Sequence, residues 1–353
     1  MILGHCIALF LSGLPAHGAE TEQSLVDRSF FVVPIALYTS DTGFGAGLAG
    51  FKSYHSDQPR NSSVQFSSIL TTRKQFTAVV RLEQFFHDGN DRMYLNVSYQ
   101  KFPTDFFGTG NLTDNGDPER YTPEKVTLET FYEWRFWRNL KLRTMLFVNN
   151  LAVVKTEGGR TIESGTIPYP RGRFDAGPGI GLVWDSRDNT QATTRGIFAA
   201  LDYTGAFLED EGGAYNSVTL DVRAFFHPLP DLVFGSMLLI ENRQGDVPFY
   251  LLPRLGGQDY LRGYEEGRFL DHSLFLLQQD IRFPVWRFIG GAVFGAAGRV
   301  APEFGKAFSG KFHTACGIGA RIYLNREEHM VVRADAARGD DADGFYVTFS
   351  EAF

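Results

Sequence analysis

Beyond its first residues the chain has no apolar run of about 20 residues, the length a membrane-crossing helix needs, so a helical membrane protein is excluded. Cysteine is nearly absent. Cys6 lies in the N-terminal apolar segment, and its removal would leave Cys316 alone, so no intramolecular disulfide is expected. No basic block interrupts a net charge of −7, which argues against nucleic acid as a partner. The histidines are scattered without metal-ligand spacing, and there is no Gly-x-Ser-x-Gly elbow. The chain therefore reads as neither an enzyme nor a holder of a metal or cofactor. A hydrolase built from distant strands is the remaining enzymatic alternative.

Aromatic residues and glycine are plentiful. The 33 Phe and 38 Gly suit a β-barrel with aromatic girdles and with glycines at turns and close backbone contacts. A soluble sandwich or propeller shares that composition, so patterning must decide. From Val126 to Phe136 the residues Val126, Leu128, Thr130, Tyr132, Trp134 and Phe136 share one face. Thr127, Glu129, Phe131, Glu133 and Arg135 share the other. In Val218–Phe226 the odd–even split is the same, with Asp221 and Arg223 opposite Leu220 and Val222. Two faces of such different polarity mean a sheet between apolar and wet surroundings.

Strands are expected near 30–39, 43–54, 62–71, 75–86, 93–101, 126–136, 139–154 and 178–184. The second half adds 196–205, 216–226, 232–241, 273–283, 288–298, 312–323, 329–335 and 345–353. That makes about sixteen, an even number as closed bacterial barrels require. Short connections such as Trp137-Arg138 alternate with long ones such as 103–125, 155–177 and 242–272. Periplasmic turns and external loops differ in the same way. The turn 185–195 is long for the periplasmic side.

Residues 1–18 read as a secretory signal peptide, with an apolar core from Ile7 to Leu14 and the small residues Ala16 and Gly18 before the cut. Its n-region has no Lys or Arg, and a buried N-terminal helix is the alternative. Residues 19–29 then form a short periplasmic segment and 30–353 the barrel. The last strand carries Phe345, Val347, Phe349 and Phe353 on one face, interrupted by Glu351. This pattern looks like the C-terminal assembly signal of outer-membrane barrels.

The glycine-rich stretch Arg254–Arg268, RLGGQDYLRGYEEGR, places Arg262 beside Gly263 and Tyr264, and the following strand carries Asp280. It resembles the signature loop of the BamA/TamA outer-membrane assembly-factor superfamily, the bacterial surface antigen barrels. Gly179–Asn189 followed by Arg195–Phe198, the hairpin from Pro34 to Gly45, and 313–335 are similar to family segments in the same order. The resemblance implies a transmembrane antiparallel barrel whose extracellular loop folds into the lumen. There Arg262 would meet acidic residues of the inner wall. Asp280, in phase with Gln278 and Arg282, is the expected partner, helped by Asp335 or Glu351. Gly263 would allow the bend, and Tyr264 would pack the tip. Two departures stand out. Where the family carries an aspartate between Phe294 and Gly298, this chain has Ala296. Where the family carries POTRA domains, only 19–29 precede the first strand.

The function implied by resemblance is helping polypeptides enter or cross the outer membrane through a seam between the first and last strands, near 30–39 and 345–353. The implied partners are outer-membrane lipid, lipopolysaccharide and a periplasmic or secreted client. The alternative is a passive pore or structural barrel in which Arg262 only holds a plug.

Overall fold

The computed structural model describes residues 30–39, 43–54, 62–113, 116, 118–158, 161–189, 193–209, 213–229, 231–325, 330–340, 342–349 and 351–353. The expected signal peptide and periplasmic segment, 1–29, lie outside the described residues. Among the described residues sixteen long strands follow one another. They are β1 Phe30–Thr39, β2 Gly43–Tyr54, β3 Ser62–Thr71, β4 Phe76–Phe86, β5 Asp91–Lys101, β6 Glu119–Trp137, β7 Leu140–Glu157 and β8 Phe174–Asp185. The second half comprises β9 Gly196–Leu208, β10 Ala214–Leu229, β11 Leu232–Gly245, β12 Ser273–Trp286, β13 Ile289–Ala301, β14 His313–Asn325, β15 Met330–Gly339 and β16 Asp343–Phe349.

Each strand pairs antiparallel with the next. β1 also pairs with β16, at Tyr38↔Val347 and Thr39↔Tyr346, so the ladder returns to its start. A ladder that returns to its start leaves lipid far less open edge than a flat sheet of the same length.

The two faces divide as the alternation predicts. On β6, Val126, Trp134 and Phe136 are exposed while Thr127 and Glu133 are buried. On β12, Leu277 is exposed outward, and Gln278, Asp280 and Arg282 are buried inward. Several strands run further than expected at the long-loop end. β6 and β7 have 19 and 18 residues, against about 9–11 for a tilted strand crossing lipid. Above the bilayer the outer face no longer has to be apolar, as Arg120, Lys155 and Glu157 show. The alternation that marks a strand in sequence stops there, but hydrogen bonding does not: Arg120 still pairs with Glu157.

The long loops fold over the barrel mouth. Phe106, Tyr121, Ile162, Tyr215, Phe249 and Leu270 belong to one buried apolar cluster, drawn from loops and strand tops on different sides of the wall. At the opposite end the connection between β8 and β9 brings Thr193 inside. The Thr193 carbonyl accepts a hydrogen bond from Arg282 Nη1 at 3.3 Å.

Candidate functional site: the loop lock and the strand seam

Between β11 and β12 the chain enters the lumen. It makes a short 3-10 turn at Phe249–Leu251, pairs Arg254–Leu255 with Phe269–Leu270, and turns back through Arg262. Leu255 and Leu261 are fully buried, packed with Leu274, Leu276 and Val300 of the inner wall. Apolar packing thus inserts the loop, and the polar residues at its tip then need partners. Gly263 makes the bend at φ +109°, a left-handed conformation costly for other residues. A Cβ there would also lie 2.8 Å from the Gly339 backbone nitrogen.

The Arg262 guanidinium is 2% exposed. Its Nη1 donates to Asp335 Oδ2 at 2.6 Å and its Nη2 to Asp280 Oδ1 at 3.3 Å. The Phe294 ring lies against the same group, with Cζ 3.4 Å from the ring centroid, an added cation–π attraction. Asp280, the expected partner, makes the longer of the two bonds, and Asp335, expected as a helper and two strands further round the wall from β13, makes the shorter. Ala296, in the frame of the family's acid, packs beside the apolar cluster instead.

Asp335 has a second arginine. Arg321 Nη1 donates to Asp335 Oδ1 at 2.6 Å, and Arg321 Nε donates to Glu351 Oε2 at 2.8 Å. Arg321 is fully buried. Gly319 makes this approach possible, because a Cβ there would sit 2.1 Å from Asp335 Oδ1. Arg333 lies 3.6 Å from Asp335 and 3.8 Å from Asp259 of the loop, and its Nε donates to Thr348 Oγ1 at 2.5 Å. Arg282 lies 3.7 Å from Asp280. The connected network thus sets Arg262, Arg282, Arg321 and Arg333 against Asp259, Asp280, Asp335 and Glu351. Such pairing is what burial of guanidinium groups demands. Glu351 was expected near Arg262 but serves Arg321.

Sequence reasoning missed Arg321, Arg333 and Phe294. A signal existed for the two arginines: each sits mid-strand among apolar neighbours, and a charge there has to face the lumen.

Tyr264 and Tyr346 fix the tip to the strands beside the seam. Tyr264 Oη donates to the Thr314 carbonyl at 3.2 Å and accepts from Asp340 N at 2.8 Å. Tyr346 Oη, on β16, accepts from Gly263 N at 3.2 Å and donates to the Tyr264 carbonyl at 3.4 Å. The loop tip is thereby held by β14, by Asp340 just after β15, and by β16.

The seam itself is short. β1 pairs with β2 over ten residues, Phe30↔Lys52 to Thr39↔Gly43, but with β16 at only two positions among the described residues. The expected final strand 345–353 is cut short at Phe349. Had the strand continued, Glu351 would face lipid with Phe345, which is 46% exposed. Instead the chain turns inward. Glu351 binds Arg321, and Phe353 is buried with its ring 6.0 Å from that of Phe225 on the inner face of β10. Of the expected assembly signal, Phe345 faces outward, Val347 pairs across the seam, the Phe349 side chain lies outside the described residues, and Phe353 has left the row.

Among the described residues no cluster of His, Cys, Asp and Glu is arranged to hold a metal ion.

Comparison with known proteins agrees with this architecture. One similar solved structure is BamA from Haemophilus ducreyi lacking POTRA domains 1–3, at a TM-score of 0.59 and 13% identity. The match covers 89% of this chain and 69% of that one. Another is CdiB from Acinetobacter baumannii, at a TM-score of 0.57 and 14% identity, covering 91% of this chain and 59% of that one. No curated protein matches. At these identities the likeness speaks for the fold. The Omp85 superfamily domain matches residues 61–325, which is more than half of the sequence, and the chain belongs to the Omp85 superfamily.

Proposed function

We propose that this barrel assists polypeptides to insert into or cross the outer membrane by opening between β1 and β16. The observation that carries this reading is the two-pair seam beside a first strand of ten residues. Below Tyr38, the β1 edge facing β16 has no ladder partner among the described residues. Backbone groups on such an edge can template an incoming strand, as in β-augmentation. Membership of the Omp85 superfamily and the likeness to BamA and CdiB support the same reading. The packing of the lumen disfavours the passive-pore alternative, because apolar loop clusters cover the mouth and the Arg262 loop fills the wall beside the seam.

The test is a disulfide between Tyr38→Cys and Val347→Cys, which are register partners, in a Cys316→Ala background. Locking the seam should deplete particular outer-membrane or secreted proteins, and reduction should restore them. An unchanged proteome despite efficient crosslinking would leave a structural barrel as the better reading.

A further inference from the structure

We infer that the segment Glu351–Phe353 is an internal latch that couples the seam to the loop lock, so that neither opens independently of the other. The inference rests on the seam reading above and concerns its regulation. The chain of contacts is continuous. Glu351 holds Arg321 at 2.8 Å, Arg321 holds one oxygen of Asp335 at 2.6 Å, and Arg262 of the loop holds the other at 2.6 Å. A second link runs through Tyr346 of β16, which bonds the backbone of Gly263 and Tyr264. Phe353, seated against Phe225, keeps the segment inside the lumen.

The direction of coupling follows from charge. With the segment in place, and counting the part-exposed Asp259, four guanidinium groups meet four carboxylates in the connected network among the described residues. Withdrawing Glu351 toward the seam leaves the four guanidinium groups against buried Asp280 and Asp335 and the part-exposed Asp259, and an unpaired charge on buried Arg321 is costly. Arg321 and Arg333 are fixed on strands, as is Arg282. Arg262 is carried by a loop, so its expulsion relieves the excess with the least rearrangement. Unseating the latch therefore releases the loop. Because linkage is reciprocal, releasing the loop also loosens the latch.

Two readouts on the folded, purified barrel test this without any client. Tryptic cleavage after Arg268, which is 8% exposed, reports loop release. Maleimide labelling of Ala352→Cys, in the Cys316→Ala background, reports latch release. Glu351→Gln should speed loop cleavage about 10-fold, within the usual span of coupling between sites. Arg262→Ala should speed Ala352→Cys labelling comparably. The double variant Arg321→Gln, Glu351→Gln restores charge balance at three against three and should return loop cleavage toward wild type. Should Glu351→Gln lower the yield of folded barrel, Phe353→Ala unseats the segment by packing alone and should also speed cleavage. Loop cleavage unchanged in both latch variants, or a double variant as labile as Glu351→Gln, overturns the coupling. None of these rates depends on the proteome response to the seam crosslink, so the two ideas fail separately.

Discussion

Arg262 binds Asp335 at 2.6 Å and Asp280 at 3.3 Å, so the two carboxylates are not equivalent. Removing one partner of a buried ion pair costs about 3–5 kcal/mol. Asp335→Asn, which also deprives Arg321, should therefore loosen the loop more than Asp280→Asn. Rates of tryptic cleavage in the loop measure the difference, and equal rates would show that Asp335 is not the hub. Gly263→Ala is expected to release the tip even though it removes no charge. Its φ of +109° and the Gly339 nitrogen 2.8 Å from the added Cβ both oppose the bend. The same protease assay checks it. Arg262→Lys should not rescue the lock, because an ammonium cannot repeat the forked pairing with two acids and a ring.

At the level of elements, alternate residues on one strand have opposite tasks. On β12, Leu277 faces outward at 38% exposure while the neighbouring Gln278 is fully buried and donates to the Asp259 carbonyl at 2.7 Å. Leu277→Arg should be destabilising by up to about 2–4 kcal/mol, the penalty of a cation on the lipid face, which is largest at the bilayer centre. Reversible unfolding in lipid or detergent would measure this loss. The last strand shows the same pressure acting on backbone. A carboxylate at position 351 on the lipid face would be expensive, and the chain leaves the sheet after Phe349 so that Glu351 reaches Arg321. Beside that bend the seam has two pairs among the described residues.

For the molecule as a whole, material packed from both ends fills the barrel. Apolar loop clusters close the long-loop mouth, Thr193 reaches Arg282 from the other side, and the Arg262 loop lies between. In planar bilayers the intact protein should conduct poorly. Deleting 254–270, with the barrel's heat-modifiable gel mobility retained, should raise conductance strongly. A wild type that already conducts steadily at porin levels would contradict the packed lumen.

Much of this was legible in the sequence, because a barrel wall imposes a local rule. Lipid on one side and a polar interior on the other force the period-2 pattern, plain in 126–136 and 218–226, and strands are expected near all sixteen observed positions. Phase alone sent Asp280 inward, and the glycine beside Arg262 marked the bend. The pattern failed where its cause ceased, above the bilayer on β6 and β7 and after Phe349. What only the tertiary structure decided was the pairing of charges. Asp335 lies 73 residues from Arg262 in the chain, and β15 reaches the loop only because the sheet curls round and the loop descends into it. Strand phase says which way a side chain points, but not which one it meets across a lumen. That depends on where the closed ladder and the inserted loop bring distant residues together.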